Sequence, residues 1–226
     1  MATAQNDKDA LRQEKIENTV SKTEQFYNEN KKTILGCLIA IIVIALGIWA
    51  YNQFYLKPKT AEAQEQMFPA EAAFRGGEFE KALNGDGNAL GFAQVIEDYG
   101  KKAGKAACFY AGVCALQMND YEQALKYLKQ YNGKDEILAA RAQACIGDAY
   151  VGLEKLNEAE AAFEKAASMA DNVFAAEYLL KAAAVCEELG NSDKALKLYE
   201  NIKENYPQSI EGYDIEKYIN RIKIAE

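Results

Sequence analysis

Three hydrophobic patterns divide the chain. From Thr33 to Leu56 apolar residues run without alternation, without a polar face and without a charge. The 32 residues before this run are strongly polar. After it, apolar positions recur at three- and four-residue spacing to the end of the chain, which predicts a succession of amphipathic helices. Pro occurs only at Pro58, Pro69 and Pro207, Ala is abundant, and strand-like alternation is almost absent. The pattern therefore predicts an all-α protein: a polar head (1–32), one apolar helix (33–56) and a helical domain.

The apolar run spans 24 residues, about 36 Å as a helix, against a hydrocarbon core of about 30 Å. A buried core helix would be shorter and would have partners of similar apolarity elsewhere in the sequence. A cleaved export signal would need a short basic start and small residues at its end, whereas this run ends in WAYNQFYL. The LGC triplet at Cys37 resembles a lipidation box, but the apolar stretch follows the cysteine instead of preceding it. The expectation is an uncleaved anchor over 33–56, with Trp49, Tyr51, Phe54 and Tyr55 as an interfacial aromatic belt. Lys15, Lys22, Lys31 and Lys32 lie upstream, against Lys57 and Lys59 downstream. That asymmetry predicts a cytoplasmic N-terminus and a downstream domain on the outer side, the periplasm in a Gram-negative bacterium.

Residues 1–10 have the composition of a disordered start. From Ala10 to Lys32, Ile16, Val20 and Tyr27 share a thin helical stripe, with Thr23 between them. This suits a solvated helix leading into the anchor or a short docking helix for a membrane partner.

The helical domain repeats itself. Residues 105–131 align with 141–166 at a shift of 35, pairing Gly112 with Gly147, Ala124 with Ala159 and Leu128 with Phe163. The second segment aligns with 179–207 at a shift of 36, pairing Ala159 with Ala195 and Phe163 with Tyr199, and placing Pro207 at the end of the unit. Upstream, 61–83 looks like a degenerate first unit, with Gly77 and Ala82 at the same turn-to-Ala spacing. The turn-rich LNGDGNALG interrupts it, and an amphipathic helix over 92–100 follows. The reading is a linker helix and degenerate unit with insert (57–104), three clear units (105–207), and a capping helix (208–226). Ser209 would start that last helix, written as IEGYDIEKYINRIK (210–223).

These units resemble the tetratricopeptide (TPR) family, whose repeat is a helical hairpin. IGDAY (146–150) with Ala159, Phe163 and Ala166 carries the resemblance best. Gly112, Ala124 and Leu128 carry it in the first clear unit, and Gly190, Ala195, Tyr199 and Pro207 in the third, which has Ala183 in place of a Gly. The resemblance implies an α-solenoid in which small residues let paired helices approach and the Leu or aromatic fills the gap. Tyr150, Phe163 and Tyr199 are then core residues. It also implies a concave groove lined by the first helix of each unit. Carried over, the groove positions are Phe109, Val113, Leu116 and Gln117; then Arg141, Ala144, Asp148 and Val151; then Glu177, Leu180, Glu187 and Glu188. Phe109 and Leu116 suit packing against a neighbouring unit equally well. The first part of this surface is apolar and the far part acidic, which suits an amphipathic or basic-apolar protein segment. The carboxylate clamp of chaperone-binding TPR domains is not expected, because Phe109 and Val113 stand where it needs Lys and Asn.

Charge and candidate chemistry narrow the function. The head holds six Lys/Arg and six Asp/Glu, so the net charge of −8 falls on the domain after the anchor. Such a domain repels nucleic acid. The chain has no His, which removes Ser-His-Asp and Cys-His catalysis and His-ligated zinc. Cys37, Cys108, Cys114, Cys145 and Cys186 form no CxxC pair and no disulfide framework; the last four read as small buried apolar residues. An envelope enzyme would have to rest on carboxylates such as Asp148, Glu187 and Glu188, yet Glu187 and Glu188 are adjacent on a helix and cannot face one point. No nucleophile elbow, phosphate loop or metal motif is present. No catalytic residue, cofactor or metal is expected.

The order of polar head, single anchor and repeats, with SKTEQFYNENKKTILG entering the membrane, is similar to the YfgM-like TPR family. Those proteins are ancillary subunits of the SecYEG translocon that face the periplasm. The resemblance implies a non-catalytic scaffold holding periplasmic chaperones or emerging chains near the translocon. The same layout would also serve another envelope machine, such as outer-membrane or cell-division assembly.

Overall fold

The computed structural model describes residues 26–27, 30–169 and 173–225. The stripe residues Ile16, Val20 and Thr23 lie outside them. Two compact units divide the chain at Pro58.

In the first unit, helix α1 covers 30–51. Leu38, Ile41, Val43, Ile44, Ile48 and Trp49 are each more than half exposed. Among the described residues nothing covers this surface, as a neighbour would cover a core helix. Among the described residues this is the one helix long and apolar enough to cross a membrane. Trp49 meets Phe54 edge-on at 6.2 Å, and Tyr51 stacks on Tyr55 at 5.2 Å. These four rings cluster at the end of the apolar stretch, at the positions where the sequence places an aromatic belt. A π-helical turn, Asn52–Leu56, ends the apolar stretch, with the Lys57 N–H donating to the Asn52 carbonyl. Pro58 follows directly. In a regular α-turn its ring would crowd the carbonyl four residues back, and a widened turn relieves that clash. Helix then continues through α2 (Lys57–Arg75), so the helical run extends over 46 residues from Asn30 to Arg75. The apolar composition stops at Leu56; the helix does not.

The second unit is built from helical hairpins. α2 pairs with α3 (Phe79–Asn84), α5 (Lys105–Gln117) with α6 (Tyr121–Leu128), α7 (Glu136–Gly152) with α8 (Leu156–Met169), and α9 (Val173–Glu188) with α10 (Ser192–Asn205). An extra helix, α4 (Phe92–Tyr99), stands between the first two hairpins. One turn geometry recurs in all four hairpins. A residue in the left-handed region ends the first helix: Gly77, Asn119, Glu154 and Gly190, with φ of 76°, 60°, 59° and 74°. The N–H of the next residue donates to a carbonyl five positions back, at 2.9 Å (Glu78 to Ala73), 2.9 Å (Asp120 to Ala115), 2.9 Å (Lys155 to Tyr150) and 2.8 Å (Asn191 to Cys186). This closure satisfies carbonyls that the helix end would otherwise leave open. Five residues after each left-handed position stands a fully buried alanine: Ala82, Ala124, Ala159 and Ala195.

The small residues of the first helices are required by contact. A Cβ on Gly112 would lie 2.5 Å from Leu128 Cγ, and one on Gly147 would lie 2.6 Å from Phe163 Cε1. In the third clear unit the pair is Ala183 and Tyr199, both fully buried. Tyr199 and Phe163 are core residues, as expected, whereas Tyr150 is only partly buried and packs at the core's edge.

The core runs from hairpin to hairpin in three contiguous clusters. The insert before α4 contributes to it. Asp86 Oδ1 accepts the N–H groups of Asn88 and Ala89 at 3.0 Å each, and this turn delivers Phe92 and Val95, both fully buried. At the far end, the single helix expected over 210–223 is instead two: α11 (Ile210–Tyr213) and α12 (Ile215–Ala225). Ser209 Oγ caps α11 by accepting the Gly212 N–H at 3.0 Å. The break at Asp214 separates an outward turn, with Ile210 and Tyr213 almost fully exposed, from a stripe of Ile215, Ile219 and Ile222 buried against the last hairpin.

Candidate functional site

α5, α7 and α9 present equivalent faces to one side of the second unit, and a groove of about 560 Å³ lies along them. Helical spacing explains its lining. Phe109, Val113 and Leu116 follow one stripe of α5, Arg141, Ala144 and Asp148 one stripe of α7, and Phe174, Glu177 and Lys181 one stripe of α9. Phe74 of α2 closes one end. A hollow of about 570 Å³ also opens at the turn between α2 and α3, but turn backbone forms much of it and it draws on no repeated face.

At the α2–α5 end the groove is aromatic. Phe74 and Tyr110 meet at 5.1 Å, Tyr110 stacks on Phe92 at 5.5 Å, and Phe109 meets Tyr131 at 6.0 Å. These pairings hold the rings in place through edge and offset contacts. Phe109 is buried, so it serves mainly as packing beneath the groove, while Val113 and Leu116 stay partly exposed.

At the α7–α9 end the charges are arranged as a bridge. Lys181 Nζ donates to both carboxylate oxygens of Asp148, at 2.9 and 3.0 Å, and lies 3.6 Å from Glu177. Burial works against the Lys181 charge, but Asp148 and then Glu177 outweigh it and hold the ammonium above its usual range. Cys145 lies between these groups, and burial pushes its thiol up to about 11. Arg141 is exposed beside them and enters no ion pair or side-chain hydrogen bond among the described residues. The expected acidic far end is thus largely neutralised by a lysine that periodicity alone did not mark as a groove residue.

Of the predicted groove positions, Phe109, Val113, Leu116, Gln117, Arg141, Ala144, Asp148 and Glu177 line this groove. Val151, Leu180, Glu187 and Glu188 do not. Glu187 faces the cap: it accepts from Tyr199 Oη and from Arg221 Nη2, the latter at 2.6 and 2.7 Å. Sequence reasoning missed Phe74, Tyr110, Ile137, Leu138, Cys145, Phe174, Tyr178 and Lys181. Tyr110, Cys145, Tyr178 and Lys181 could have been found by adding the i+1 and i+4 neighbours of the positions chosen. Phe74 could have been found by extending the groove positions to the degenerate first unit, where the Gly77–Ala82 register aligns it with Leu116. Cys114 and Cys186 are fully buried small residues, as expected, but Cys108 and Cys145 are only partly buried. Among the described residues no group of three or more His, Cys, Asp or Glu converges to hold a metal.

Comparison with known proteins agrees with this architecture. One model described as tetratricopeptide repeat matches residues 106–134 and 177–209, and a second of the same description matches 140–173. No curated protein sequence matches significantly. Among solved structures, the crystal structure of MamA protein is similar at a TM-score of 0.56 and 19% identity, covering 73% of this chain and 82% of that one. A thermophilic TPR protein of Thermus thermophilus is similar at a TM-score of 0.49 and 17% identity, covering 82% and 96%. The chain is an all-α protein with tetratricopeptide repeats, and such repeats form scaffolds for protein interaction.

Proposed function

We propose that this protein is a non-catalytic adaptor, anchored in the bacterial inner membrane by residues 33–56, whose repeats hold a protein segment in the α5–α7–α9 groove. The repeats stand on the periplasmic side, and the task is protein translocation or handover to periplasmic chaperones. The groove supports this reading most: three repeated helix faces converge on one open channel with an aromatic end and a polar end, the form of site that takes an extended or helical peptide. The exposed apolar surface of α1 supports the anchor, and the similarity to the YfgM-like family supports the task. Asp148, the carboxylate best placed for acid–base work, bonds Lys181 through both oxygens, which supports a binding role over a catalytic one.

The test is crosslinking in intact cells, with a photoreactive residue at Val113 in the groove or at Glu158 on the outer face of α8. The groove position should capture translocon subunits, chaperones or nascent chains that the Glu158 position does not. Equal capture from both positions would refute the groove. Capture only of division or outer-membrane assembly proteins would refute the translocation task and leave the adaptor.

A further inference from the structure

The sequence presents Asp148, Glu177, Glu187 and Glu188 as an acidic end suited to a basic partner. Tertiary structure reverses that expectation. Glu187 is engaged by Tyr199 and Arg221 away from the groove. Both oxygens of Asp148 accept from Lys181, and Glu177 is ion-paired to the same ammonium. Four charged side chains line the groove, and three of them form this one bridge. The fourth, Arg141, has no partner among the described residues and is exposed at the groove wall.

We infer that Arg141 is the polar anchor of the groove and that the occupant is a peptide segment carrying a carboxylate next to apolar side chains. The inference rests on the groove being the binding surface. A guanidinium offers five donors in a planar fork that matches a carboxylate, and charge-assisted pairs of this kind are stronger than neutral hydrogen bonds. A basic segment would find Asp148 and Glu177 already sharing Lys181 and would meet Arg141 unshielded. The domain's net negative charge acts at longer range, where physiological salt screens it beyond about 8 Å. Contact inside the groove is decided by the unpaired group. Val113 and Leu116, on the neighbouring helix, take the apolar part of the segment.

The experiment selects peptides from a phage-displayed library of random 12-residue sequences on the full-length protein in nanodiscs, with selected peptides then measured by fluorescence anisotropy. Wild-type protein should enrich peptides with Asp or Glu beside Leu, Ile or Phe. Arg141→Gln should weaken these peptides about tenfold, and Arg141→Glu should turn the selection towards Lys and Arg. Val113→Glu should abolish binding of every class. Basic or uncharged peptides enriched on wild type, or affinities unmoved by Arg141→Gln, would overturn the acidic occupant while sensitivity to Val113→Glu keeps the groove. Peptides that bind Val113→Glu undiminished would overturn the groove itself, and the inference with it. Circular dichroism of each variant confirms that the helices are intact.

Discussion

Four left-handed residues close the four hairpins, and two of them are not glycine. Asn119 adopts this region readily, but Glu154 does so against the steric preference of an L side chain with a long stem. Its side chain is exposed and, among the described residues, makes no bond that would offset the strain. Glu154→Gly should therefore raise unfolding stability by about 0.5–1 kcal/mol, read from the urea midpoint; an unchanged or lowered midpoint would show that the turn carries no strain. The buried thiols predict a pH dependence. Burial pushes Cys114 and Cys186 up to about 12 and Cys145 up to about 11, while a thiol in the unfolded chain ionises near about 8.5. Below that pH the thiols are protonated in both states and the native packing is undisturbed. As pH rises towards 11–12 the unfolded chain loses its protons first, so stability falls. The thermal midpoint should drop between about pH 9 and pH 11, and iodoacetamide at pH 8 should modify Cys145 about 100-fold more slowly in the native protein than in urea.

Element ends decide how the solenoid stops. α12 covers the last hairpin with Ile215, Ile219 and Ile222, and Glu187 ties α9 to both Tyr199 and Arg221. The two partners are unequal. Tyr199 is fully buried, and burial followed by its bond to Glu187 holds its hydroxyl well above the usual tyrosine range. Arg221 is largely exposed, and exposed pairs contribute little. Glu187→Ala should therefore cost about 1–3 kcal/mol, because a buried hydroxyl loses its acceptor. Arg221→Ala should cost less than about 1 kcal/mol. Equal losses in chemical denaturation would place the role of Glu187 in the surface pair instead. Neither variant should change which partners the groove captures.

For the whole molecule, the decisive question is where the repeats stand. The proposed anchor predicts that Ile42→Arg with Val43→Arg, each placing a charge at the helix centre at about 2.5–3.5 kcal/mol, moves the protein from the carbonate-resistant membrane fraction to the soluble one. Retention in the pellet would mean that another segment or a partner holds it there. With a cytoplasmic N-terminus, protease added to spheroplasts should degrade the repeat domain. Protection of the domain, while a periplasmic control is cut, would reverse the topology.

The all-helical class, the repeat of 35 and 36 residues and the apolar run were legible in the sequence. Each depends on local spacing, which a helix converts directly into a face or a length. Gly112, Gly147 and the buried alanines were legible for the same reason: a close approach admits few residue types. Charge pairing was not legible. Lys181 meets Asp148 33 positions away, and Arg221 meets Glu187 at 34, distances at which only stacking of neighbouring hairpins brings side chains together. The break at Asp214 was hidden as well, since the pattern on either side of it is helical. The sequence by itself thus determined which surfaces are apolar and how often they recur. Only the tertiary structure decided which charges are already satisfied, and hence that the group lining the groove without a partner among the described residues is a cation, because pairing depends on which helices become neighbours.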